Sequence, residues 1–99
     1  MPYEFTARVW KTPPPGVWHF LTVPPDLADE IDERTTGLQG GFGSVKVEVT
    51  IGATTWSTSI FPSKEAASFI LPVKQAVRRA EDCEAGTDVV VSLVLVGFE

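Results

Sequence analysis

Lys74 and Arg78 lie four residues apart in "VKQAVRRAED", a spacing that sets two cations side by side on one helix face. Like charges so placed repel by a few tenths of a kcal/mol, roughly, in an isolated helix, which points to an anionic partner. Lys64 and Arg79 are close in sequence and would widen the pair into a basic cluster. The plainer reading is a set of surface ion pairs with acids such as Glu65, Glu81 or Asp82. Of all the residues that could do chemistry here, Lys74 and Arg78 are the ones we select as ligand-binding, and the ligand they imply is small and anionic.

The only histidine, His19, stands in "VWHFLTVPPDLADEIDE" directly before a dense run of acids. A catalytic histidine needs an acid that orients it and a nucleophile or substrate within hydrogen-bond reach. Strand alternation puts His19 on one face with Val17, Leu21 and Val23, and Trp18 and Phe20 on the other. Both faces are apolar, so His19 is expected to be structural. The acids after Pro25 are expected to form a solvated helix surface. With one His and one Cys there is no paired metal-ligand spacing. No catalytic residue, metal or cofactor is expected.

Other reactive residue types read as ordinary. Cys83 sits in "EDCEAG" among three acids, which raise a thiol pKa and make a poor nucleophile. "GLQGGFGS" lacks the lysine and glycine spacing of a phosphate loop and precedes a strand instead of a helix. It reads as a connection or bulge. In "TTWSTSIF" the hydroxyls of Thr55, Ser57 and Ser59 share one strand face, opposite Trp56, Thr58 and Ile60, without a placed base and read as solvated.

These residues must be positioned by a chain of 99 residues, which suits one domain, 1–99, with a single core. The net charge of −5 is spread over both halves, so a phosphate backbone would be repelled unless the Lys64, Lys74, Arg78 and Arg79 cluster overrides the field. A single cysteine allows no internal disulfide and fits a reducing compartment. No basic stretch followed by an apolar one opens the chain, and its longest apolar run is too short for a membrane helix. The expected setting is cytoplasmic and bacterial, away from membranes. The expected partner is a small anion or a protein, and the expected state is a monomer or homodimer.

Periodicity supplies the elements. "YEFTARVW", "VWHFLTV", "SVKVEVTI", "TTWSTSIF", "SFILPV" and "VVVSLVLV" read as strands; the last, apolar on both faces, reads as a central buried one. Gly52-Ala53 fits a two-residue type II′ hairpin turn. "KTPPPG" and "PSKEAA" read as loops. One helix follows Pro24-Pro25, with Leu27, Ala28 and Ile31 as its apolar stripe. A second spans "VKQAVRRAED", with Val73, Ala76, Val77 and Ala80 as its stripe. Two short helices cannot cover both faces of an open six-stranded sheet. The pattern therefore predicts a mainly β fold: a small closed or nearly closed six-stranded β-barrel with two short helices.

"VKVEVTIGATTWSTSIFP", then "FILPVKQAVRRA", then "AGTDVVVSLVL" resemble the domain-of-unknown-function family 1905, and "FTARVW" and "WHFLTVP" extend the likeness towards the N-terminus. Gly86-Thr87-Asp88 differs from the family's more usual glycine directly before aspartate. The resemblance implies a small bacterial or archaeal six-stranded barrel, matches Lys74 and Arg78 to basic positions of the family's helix, and implies no activity. The function expected is a non-catalytic binding or interaction module. A nucleic-acid-binding barrel and an enzyme acting on a small anion are the alternatives.

Overall fold

The computed structural model describes residues 2–35 and 43–97. The elements run β1 (Tyr3–Arg8), β2 (Trp10–Lys11), β3 (His19–Thr22), α1 (Pro25–Thr35), β4 (Val45–Ile51), β5 (Thr54–Ser63), β6 (Ser68–Pro72), α2 (Gln75–Glu81) and β7 (Asp88–Leu95). One sheet contains all the strands in the order β1-β7-β4-β5-β6-β3-β2, every pair antiparallel.

The two outer strands of that order, β1 and β2, are consecutive pieces of one segment. The chain itself therefore wraps from one margin of the sheet to the other and nearly closes a barrel. Val9 is the point of transfer. Its N–H donates to Thr87 O at 2.9 Å and its carbonyl accepts from Gly86 N at 2.7 Å. Beyond it, Trp10 and Lys11 pair with Phe20 and His19 of β3. The expected first strand is thus divided, giving seven strands where six segments were predicted. The division arises because one segment must change partners from β7 to β3. A closed sheet leaves few unpaired backbone groups at its margins.

The inner face follows the predicted alternation. Tyr3, Phe5, Val9, all four inward residues of β4, Trp56, Ile60, Leu71, Val91 and Leu93 are buried. The expectation that β7 is buried on both faces is corrected: Val89, Val91, Leu93 and Leu95 point inward, but Val90 is 64% exposed. A barrel gives even a central strand one solvent face, and here the outer valines lie on it.

Both helices pack on the barrel. Ala28 and Ile31 of α1 are buried, with Leu27 packed alongside, and α1 rests near β6. Arg34 donates to the Tyr3 hydroxyl at 3.0 Å, tying the end of α1 to β1. Asp26, Asp29, Glu30, Asp32 and Glu33 are exposed, as the stripe requires. In α2 the predicted stripe is corrected: Val73 and Val77 are buried but Ala76 and Ala80 are exposed. Asp82 ends this helix with φ 52, so only about two turns exist, and Val77 with the following Cys83 anchors them.

Candidate functional site

Val73 organises the site. Its N–H donates to the His19 carbonyl at 2.9 Å, and its own carbonyl accepts from Arg78 Nη1 at 2.8 Å. The backbone of one residue, directly after β6, thus fixes the start of β3 and the guanidinium of α2 beside each other. A cavity of about 320 Å³ opens at that junction. Its cationic wall is Lys74 and Arg78, with His19 and Trp18 on β3's side. Trp56, Ser57 and Thr58 of β5 face them. The size falls at the lower end of small-molecule pockets, which run from about 300 Å³ upward.

The structure corrects one detail of the predicted pair. Lys74 is the N-cap of α2, with extended backbone, and not a helical residue. Arg78 N still donates to Lys74 O at 3.1 Å, so the two remain one turn apart and line the same cavity. Lys64 lies on the turn after β5 and Arg79 on the exposed side of α2; neither lines the cavity. The four-residue basic cluster is therefore not gathered at this site.

The charges are unevenly matched. Glu84 Oε1 lies 3.4 Å from Arg78 Nε and 3.8 Å from His19 Nε2. Arg78 Nε is buried and makes no hydrogen bond. Glu81, one of the acids named as a surface partner, instead accepts from Thr54 Oγ1 at 2.6 Å. Among the described residues no carboxylate lies within 4.0 Å of the Lys74 ammonium. Two cations thus face one carboxylate, and that carboxylate is 61% exposed and well screened. In a chain of net charge −5 this is a local positive spot.

His19 is mostly buried, its side chain 13% exposed. Its distance from Glu84 exceeds a hydrogen bond, and among the described residues it bonds neither Ser57 nor Thr58. The arrangement offers an anion two cations, a mostly buried imidazole, two hydroxyls and two indole surfaces. Cys83 is buried close by; burial first, then Glu81 and Glu84, push its thiol pKa up, with Arg78 opposing. Among the described residues no group of three or more His, Cys, Asp and Glu side chains is placed to hold a metal ion. The glycine-rich "GLQGGFGS" lies almost wholly outside the described residues.

The sequence reading missed Trp18, Trp56, Ser57, Thr58 and Glu84 as neighbours of the cationic pair. Strand alternation sets Trp56 on the same side of β5 as Ile60, and both are buried. Nothing in the sequence gave the Val73 hydrogen bonds that join β3 to α2.

Comparison with known proteins gives a family match described as "Domain of unknown function (DUF1905)", covering residues 5–93. No curated protein matches the chain. No helix among the described residues is long and apolar enough to cross a membrane.

Proposed function

This chain belongs to the DUF1905 family, and from that premise we propose that it is a non-catalytic binding module for a small anion. Lys74 and Arg78 hold the ligand in the cavity between β3, β5 and α2. The observation that carries this reading is that Lys74 and Arg78 line one 320 Å³ cavity, and that Lys74 has no carboxylate partner among the described residues. Removing one charged hydrogen-bond donor from such a ligand costs about 1.5–3 kcal/mol, roughly tenfold or more in affinity.

Binding is favoured over turnover because, among the described residues, His19 makes no hydrogen bond to an acid or to a nucleophile of the kind that acyl transfer or hydrolysis requires. An enzyme acting on the same anions is the second reading, and it rests on His19 sharing the cavity with Ser57 and Thr58. A cytoplasmic, bacterial setting belongs to the same proposal. The cytoplasmic part is supported by a single buried thiol, which suits a reducing compartment.

Trp18 and Trp56 supply the readout, since both line the cavity. Titration with butanoate or sulfate at constant ionic strength should change tryptophan fluorescence saturably. Lys74→Met should weaken that binding roughly tenfold or more, with the circular dichroism spectrum unchanged. A flat titration with both probes, or equal affinity in Lys74→Met, would refute the reading.

A further inference from the structure

A second cavity, of about 400 Å³, lies beside the first and shares Ser57 and Thr58 with it. Its character differs. Phe61 and Val96 line it and are each 42% exposed, and Lys46 lines it with them. Large apolar side chains left half open at a concavity are a surface that water wets poorly. Lys74 and Arg78 stand at one end of the combined depression, beyond the shared Ser57–Thr58 strand segment; at the other end a single cation, Lys46, accompanies Phe61 and Val96.

We propose that the two cavities form one divided site for an elongated organic anion, a carboxylate with an unbranched apolar body. The charged end sits at Lys74 and Arg78. The body crosses the Ser57–Thr58 segment and covers Phe61 and Val96. This deepens the proposed function and rests on it, because the charged end is placed by the same cations. An anion without a body fills the first cavity alone. The paired cations of the first cavity, set against the Phe61 and Val96 surface of the second, disfavour a ligand that is apolar throughout, since it would cover Arg78 without supplying a charge partner.

A series of butanoate, hexanoate and octanoate, followed by tryptophan fluorescence below micellar concentrations, tests the assignment. Each added methylene that leaves water should raise affinity about two- to fourfold. Phe61→Ser should flatten that rise. Val90→Ser, an exposed position on β7 that lines neither cavity, should keep it. If butanoate binds and the longer acids bind no more tightly, or the rise persists in Phe61→Ser, the divided site is overturned while the small-anion reading stands. If no acid of the series binds, the divided site is overturned, and the small-anion reading falls with it if sulfate also fails to bind. Tighter binding of octanedioate than of octanoate would place a second charge on Lys46 and overturn the apolar-body assignment.

Discussion

Leu93→Ala should destabilise the protein by about 2–5 kcal/mol. Leu93 is fully buried in β7, with Tyr3 of β1 opposite on one side and Val49 of β4 on the other. Its side chain fills the barrel where three strands of the closing sheet meet. Truncation removes its apolar surface from the core and leaves a void that a closed, hydrogen-bonded barrel cannot collapse into. For a domain of this size each kcal/mol moves the melting temperature by about 4–8 °C, so thermal unfolding should shift by on the order of 10 °C or more. Val90→Ala on the same strand should stay within about 0.5 kcal/mol, because Val90 is on the outer face. Equal losses at the two positions would mean that β7 is packed on both sides, against the barrel.

Gly52→Ala should cost about 1–3 kcal/mol, for two separable reasons. Gly52 takes φ +58 at the first position of the β4–β5 turn, where any side chain is strained. A Cβ there would also overlap Glu81 Oε1. Glu81 can swing away, but it then gives up its hydrogen bond from Thr54, which pins the hairpin to α2. In the Glu81→Ala background the overlap and the hydrogen bond are already gone. Gly52→Ala should then cost only the backbone strain, about 1–2 kcal/mol. A double-mutant cycle by urea unfolding separates the two parts, and a coupling of zero would show that the turn does not press on Glu81.

The parts of the fold that were legible in the sequence are those governed by short-range patterning. Val45, Val47, Val49 and Ile51 alternate without interruption, and each is buried on the inner face. The Gly52-Ala53 turn followed from two residues between matching strands, and the register Ile51 to Thr54 agrees. The division at Val9 was not legible. Alternation runs unbroken through Tyr3, Phe5, Ala7 and Val9, and only the need to pair with β7 and then β3 splits the strand. The outer valines of β7 misled for the opposite reason: a β-branched residue suits a strand whether or not its face is covered.

The candidate site was legible as residue types and not as a place. Lys74 and Arg78 were chosen on spacing, and His19 was noted as the only histidine, yet 55 residues separate His19 from Lys74 in the chain. Their meeting depends on β3 pairing with β6 and on the Val73 N–H and C=O bonding to either side. Long-range pairing of that kind leaves no periodic trace. Glu84 was weighed only for its effect on Cys83, although the fold brings it to Arg78 and His19.

The most direct measurement is a titration of the ¹⁵N-labelled protein with butanoate, following backbone amides and indole N–H groups by NMR. The largest shifts should cluster at Trp18, His19, Trp56, Ser57, Thr58, Lys74 and Arg78, with both cavity indoles responding, while the amides of α1 stay in place. Saturable shifts centred elsewhere, on α1 or on Lys64 and Arg79, or no saturable shift at all, would contradict a small-anion site in the cavity between β3, β5 and α2.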